Sequence, residues 1–188
     1  MANRPDVRPT PIQRLNSLDT ASATAVLHAC CGSREWARRV ASGRPFSSDD
    51  ALFEAADTTW RDADPVDWRE AFGQHPRIGE DRPAGAAQEP VTRPKTFPAW
   101  SKEEQSGMQV ATGTLRAEFA QANRTYESRF GYIFIVCATG MMAEEMLAQI
   151  RTRLRNDPET ELRVAAEEQG KITRLRLEKL LASWANTE

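Results

Sequence analysis

Residues Arg129 to Gly140 read RFGYIFIVCATG, and the fold turns on how this stretch is read. Aromatic and β-branched side chains crowd it, and glycines bound it, so propensity favours a buried strand. No other stretch of the chain offers a strand to pair with. Two readings stand: extended chain that enters the core unpaired, or the start of a buried helix. A run this short has no period that separates them.

Outward from this segment the pattern is helical. Upstream, a long helix is expected from Ser101, with Met108, Ala111, Leu115, Phe119, Ala122 and Tyr126 spaced by threes and fours. Downstream, one helix is expected over about Met141 to Leu154. Another opens at Asp157–Pro158 and runs through Ile172, Leu180 and Leu181 to about Trp184. In the first half, Asp19 can cap TASATAVLHACC, and Ser33 can cap REWARRVAS up to Gly43. Ser48 opens DDALFEAADTTWRDA, where Leu52, Ala56 and Trp60 share a face. Asp64 before Pro65 begins a short helix that Gly73 stops. Residues 81–100 carry four prolines and no helical period, so they read as a surface excursion and not as a domain linker.

Composition narrows the function. At 188 residues the chain fits one domain with a core that needs no disulfide staples. A net charge of −2 with both signs interspersed gives no phosphate-binding face, so nucleic acid is not an expected partner. Three cysteines, Cys30, Cys31 and Cys137, form no CxxC motif and suit thiols kept reduced. His28 and His75, with no Cys/His cluster, leave little for a transition metal. YIFIVCA is the longest membrane candidate and is far too short to span. MANRPDVRPTP lacks the apolar core of a signal peptide, and the final ANTE is no peroxisomal address. A cytoplasmic protein with no membrane partner is expected.

Candidate site residues lie at helix ends. In FGQHPRIGE, Phe72 to Glu80, His75 falls just past a helix stop. Pro76 confines its backbone to extended conformations, and Gly79 permits close approach or positive φ. The pattern fits a turn histidine bonded to a carbonyl as well as it fits a proton-transfer group on a stiff turn. His28, within an alanine-rich helix, reads as structural. In SKEEQ, Ser101 and Glu104 make a capping box. The same helix start can also present Glu104, Gln105 and free N–H groups to a ligand. Of Arg151, Arg153, Arg155, Arg174 and Arg176, most read as solvated beside acids. Arg176, between leucines, also suits a cleft where it pairs with an anion.

Four motifs in order, HPRIG, SKEEQ, YESRFGYIFIVCATG and RLRNDPETELRVAAEEQGKITRLRL, resemble the 2-oxo-4-hydroxy-4-carboxy-5-ureidoimidazoline (OHCU) decarboxylases of urate breakdown. The similarity spans about residues 12–182 of a single domain covering 1–188. It implies an all-α fold with a site between helix ends and a short extended apolar segment. It also implies a homodimer, no cofactor and no metal, and a carboxy-lyase that turns a small ureidoimidazoline into (S)-allantoin. His75 matches the family's catalytic histidine, and Glu104, in the family's substrate-contacting Ser-x-x-Glu-Gln, is expected to join in catalysis by orienting His75 or the ureido group. Pro76, Ser101 and Gln105 match substrate-contacting positions. Phe134, Ile135, Val136, Cys137 and Ala138 match a segment that touches ligand largely through backbone groups. Arg176 matches a substrate-binding arginine, with Arg153 second. The stretch between His75 and Ser101 is long for the family, and the peroxisomal ending of many eukaryotic members is missing. No room remains for the hydrolase fused to some relatives.

The chemistry suits those residue types. OHCU carries hydroxyl and carboxylate on one carbon beside a ring C=N, so the substrate supplies its own electron sink. Proton management remains. An imidazole, with an ordinary pKa of about 6.5, can give or take a proton near neutrality. An amide such as that of Gln105 offers a ureide both donor and acceptor. Two other classes fit the same pattern: a cofactor-free acid–base enzyme for another ureide or cyclic amide, and a helical binding module.

Overall fold

Short polar side chains open most of the helices in the computed structural model, which describes residues 9–78 and 111–186. Among those residues lie α1 (Pro11–Ser17), α2 (Thr20–Cys31), α3 (Arg34–Ser42), α4 (Asp49–Arg61), α5 (Pro65–Phe72), α6 (Gly113–Phe130), α7 (Ala143–Arg153) and α8 (Pro158–Ala185). No strand is formed among the described residues, and no helix among them is long and apolar enough to cross a membrane. The expected all-α fold is what forms.

The local signals carried far. Asp19, Ser33, Ser48 and Asp157 cap α2, α3, α4 and α8, their side chains accepting N–H groups of the first turn. Hydroxyl bonds from Ser22 and Thr160, then backbone N–H groups, hold the Asp19 and Asp157 carboxyls below the usual range. Asp64 has the extended backbone of a cap but makes no side-chain cap bond. Thr112, extended at φ −65° and ψ 161°, caps α6 by accepting the Leu115 N–H. Ala111 therefore precedes α6, while Ser101 and Met108 lie outside the described residues. The sequence pattern gave no expectation of α1, although Thr10, Pro11 and Gln13 carry its full capping box.

α8 is the axis. Its 28 residues run about 42 Å at 1.5 Å per residue, and it packs against α1, α2, α4 and α5. One continuous stripe is buried, from Glu161 to Leu181, yet it includes Glu161, Gln169, Thr173 and Arg176 as well as Leu162, Ala165, Ile172 and Leu177. Indole N–H groups tie neighbouring helices together. Trp36 donates to the Ala56 carbonyl at 3.0 Å, Trp60 to Ala166 at 2.7 Å, and Trp68 to Trp60 at 3.1 Å. Gly170 makes room for the second contact, since a Cβ there would sit 3.2 Å from the Trp60 ring.

The stretch after α6 is neither strand nor helix. Gly131, at φ +78°, ends α6 in a conformation other residues seldom adopt, and its N–H donates to the Glu127 carbonyl at 2.8 Å. Residues 133–138 then run through the core without helical or ladder bonds. Side chains take the place of a partner strand. Arg153 Nη1 donates to the Ile135 carbonyl at 2.7 Å, and the Cys137 N–H donates to Glu168 Oε2 at 2.7 Å. Arg153 also stacks 4.7 Å from the Phe134 ring and binds the buried Glu161 through Nε and Nη2 at 2.8 and 2.6 Å. Glu161 further accepts from Asn156 at 2.8 Å and from the Tyr126 hydroxyl. Burial, and then the neighbouring carboxylate, push the Tyr126 phenol well above its ordinary pKa.

This ion pair sets a prediction for stability. Replacing Arg153 by Met strands the Glu161 charge in the core and removes the donor to Ile135. Urea unfolding should show a loss of about 3–5 kcal/mol, the usual cost of orphaning a buried charge. Pairing Arg153→Met with Glu161→Leu should recover a good part of it.

Candidate active site

The turn after α5 is assembled from its own backbone. Gly73, Gln74 and His75 donate N–H groups to Arg69, Ala71 and Phe72 carbonyls at 3.1, 3.0 and 3.1 Å. Pro76 then prevents another helical turn. Two contacts fasten Arg77 and Ile78 to α6. Arg77 meets Glu127 in a forked pair at 2.9–3.0 Å, and buried Asn123 donates to the Ile78 carbonyl at 3.2 Å. The forked pair is half exposed, so it adds well under about 1 kcal/mol, and the buried Asn123 bond is the firmer tie. On the other side, Gly32, at φ +94°, lies against Gln74; a Cβ there would come within 2.9 Å of the Gln74 side chain. The residue beside His75 therefore packs on the end of α2.

His75 and Pro76 border a cleft of about 400 Å³, its open mouth included. Phe134, Ile135, Val136 and Ala138 form the facing wall. Ile78 and Thr139 close the edges, and Ile172 and Leu175 of α8 complete the lining. The wall is apolar and rigid: Phe134 packs edge-on to Phe119 and Tyr126, with ring centroids 6.4 and 5.2 Å apart. Tyr132, in contact with Tyr126 and Phe72, is buried too, and that burial pushes its phenol up to about 12. A half-buried imidazole across from such a wall has the makings of a site for proton transfer to a small, flat molecule.

Six of the expected site residues thus meet at one cleft: His75, Pro76, Phe134, Ile135, Val136 and Ala138. Cys137 does not line it; its N–H is turned to Glu168. Arg176 is fully buried one turn beyond Ile172 on the same face of α8 and is also absent from the lining. Its charge is felt by Cys30 and Cys31, whose thiols burial nonetheless pushes up to about 12. Arg153 is neither solvated nor at the cleft; Glu161, Tyr126 and Ile135 occupy it. Ser101, Glu104 and Gln105 lie outside the described residues. His28, half-buried within α2, stays a structural residue. Among the described residues no group of three or more His, Cys, Asp or Glu could hold a metal ion.

Sequence reading missed Ile78, Thr139, Ile172 and Leu175, and it missed Glu161 and Glu168 behind the wall. Ile78, Thr139, Ile172 and Leu175 were within reach, since each lies in a motif already singled out. Glu161 and Glu168 sit among the acids of a charged helix, and nothing local distinguishes them from solvated neighbours.

The chain is similar to known proteins in both sequence and fold. The OHCU decarboxylase family profile matches residues 16–178. The uric acid degradation bifunctional protein TTL of Arabidopsis thaliana is 35% identical over 156 residues, 83% of this chain and 46% of that protein. This chain thus spans about half the length of that relative. The 2-oxo-4-hydroxy-4-carboxy-5-ureidoimidazoline decarboxylase of Amia calva is 33% identical over 147 residues, 77% of this chain and 79% of that one. A crystal structure of an OHCU decarboxylase in the presence of (S)-allantoin superposes with a TM-score of 0.69 at 32% identity, covering 84% of this chain and 98% of the other. The profile covers most of the chain and the helices follow a solved member, so this chain belongs to the OHCU decarboxylase family.

Proposed function

We propose that this chain decarboxylates OHCU to (S)-allantoin as a step of urate breakdown, without a cofactor, and with His75 as the proton donor. The observation that carries the reading is the cleft in which the His75–Pro76 turn faces Phe134, Ile135, Val136 and Ala138. Family membership and a relative crystallised in the presence of (S)-allantoin support it.

In this reaction the bond from the hydroxyl-bearing carbon to the carboxylate breaks and carbon dioxide leaves. The electron pair moves into the bond towards the ureido-bearing carbon, and the ring C=N takes up the displaced pair as its nitrogen gains a proton. The hydroxyl then loses its proton to become a carbonyl, and the ureido-bearing carbon gains one. Starting from the carboxylate, one proton is taken up overall. His75 delivers the proton to carbon from a single face. Glu104 orients His75 or the ureido group, and Gln105 offers the ureide a donor and an acceptor. Ser101 is assigned to substrate contact alongside them. Arg176, buried one turn beyond the cleft-lining Ile172, anchors oxygens other than those of the departing carboxylate or binds that carboxylate loosely, because a tight pair with it would oppose its loss. A single-domain chain acting as a homodimer fits the family, and three cysteines with no disulfide suit a reducing cytoplasm.

Generating OHCU from urate in situ and following its ultraviolet decay with and without the protein tests the reaction. Decay no faster than the spontaneous rate would refute it; preference for another ureide would point to the neighbouring acid–base class.

Handedness tests His75. His75→Asn cannot donate a proton near neutral pH and should lose about 10²–10⁴-fold in rate, the usual contribution of a general acid. Circular dichroism should then show (S)-allantoin accumulating with the wild type and almost no optical signal with the variant. Optically active product from a folded His75→Asn protein would put the donor elsewhere.

Glu104→Gln separates cap from site. A residue that only caps should lose a little stability and keep turnover. One that orients His75 or the ureide should lose turnover and keep stability, which is the expected result.

A further inference from the structure

Between Ile135 and Cys137 the segment has two edges, and among the described residues protein groups meet only one of them. Arg153 takes the Ile135 carbonyl, and Glu168 takes the Cys137 N–H, both at 2.7 Å. In extended chain, the N–H and C=O groups of residues two apart point to one side, and those of the residue between them point to the other. Val136 is the residue between. It is 4% exposed and lines the cleft. Among the described residues no donor or acceptor meets its N–H or its carbonyl. Buried peptide groups are rarely left this way without a bound partner.

Glu168 is well placed to fix that orientation. It lies mostly buried on α8, two turns after Glu161, and its two oxygens have separate tasks. One binds Lys171 on the next turn, and the other accepts the Cys137 N–H. That second bond is charge-assisted and therefore stronger than a neutral one. Ile172, on the same helix, lines the cleft, so the group holding the back of the wall and a group forming its floor share one rigid element.

We propose that Glu168 is a positioning residue: by holding the Cys137 N–H, while Arg153 holds the Ile135 carbonyl, it turns the Val136 N–H and C=O into the cleft. There they present a donor beside an acceptor, which pairs with the N–H and C=O of a cyclic amide or ureide. This rests on the decarboxylase reading for the identity of the ligand, and on the two hydrogen bonds for the geometry.

Three variants of the full chain test it: Glu168→Leu, which has no acceptor; Glu168→Gln, which keeps an oxygen; and Lys171→Met, which removes only the ion pair. Amide exchange at residues 134–138, titration with (S)-allantoin, and OHCU kinetics are measured on each. Glu168→Leu should exchange faster at Cys137 and bind allantoin about 10–100-fold more weakly, the range for one lost charge-assisted hydrogen bond. Its KM should rise in step, and its product should stay (S) because His75 is untouched. Glu168→Gln should restore most of the binding, and Lys171→Met should resemble the wild type. Wild-type exchange and affinity in Glu168→Leu would overturn the proposal, as would a Lys171→Met protein as impaired as Glu168→Leu. If Glu168→Leu fails to fold, Glu168→Gln decides. Its neutral and weaker bond should still speed exchange at Cys137 measurably, with Lys171→Met at the wild-type rate; equal exchange in all three proteins would overturn the proposal. A wild type that neither turns over OHCU nor binds allantoin would refute the decarboxylase reading instead. Amide exchange at Cys137 would still decide the positioning role.

Discussion

A peptide segment that crosses a protein core must have its N–H and C=O groups met, and residues 133–138 cross this core with no strand beside them among the described residues. The rest of the architecture depends on meeting that demand with side chains. Arg153 is the last residue of α7 and Glu161 lies in the first turn of α8, so each sits at the helix end whose dipole favours its charge. Their ion pair spans the short connection between the two helices and leaves one guanidinium nitrogen for Ile135. Desolvating both charges is costly, and ion pairs of this kind seldom add net stability over an apolar replacement. What the pair provides is one defined place for the extended chain.

The same demand explains the mixed character of α8. A helix serving only as a core element would bury an apolar stripe; this one buries Glu161, Gln169, Thr173 and Arg176 along with its leucines. Gln169 donates to the Cys31 carbonyl at 3.2 Å, helping to close the C-terminus of α2. Trp60 reaches over Gly170 to the Ala166 carbonyl. Glu161, through Arg153, and Gln169 directly serve backbone carbonyls that would otherwise be unmatched in the interior. Polarity on this stripe is a consequence of packing irregular chain and helix ends against a helix.

For the site, the effect is to hold two sides of one cleft from segments far apart in the sequence. The His75 turn is pinned to α6 through Asn123 and to α2 through Gln74, while the facing wall is pinned to α7 and α8. The role proposed for His75, protonating one face of a small ring, needs this kind of rigidity, because a loosely held imidazole would reach both faces. The apolar wall excludes water from one side and leaves few polar groups, which suits an OHCU decarboxylase whose substrate carries its own electron sink.

Local chemistry wrote much of this into the sequence. Asp19, Ser33, Ser48 and Asp157 start helices because a short acceptor meets N–H groups two or three residues away, and Gly73 and Pro76 stop one for equally local reasons. The stiff His75 turn and the lone apolar segment were legible on the same grounds. Tertiary structure decided what depends on distant partners. How residues 133–138 are held extended was set by Arg153 and Glu168, which the pattern of their own helices does not separate from solvated charges. Arg153 was turned from a candidate substrate ligand into a backbone clamp by Glu161, and Cys137 was turned from the cleft by Glu168. Pattern along a chain reports which residues can be buried; which buried charge meets which carbonyl is settled only when segments such as Cys31 and Gln169, 138 residues apart, come into contact.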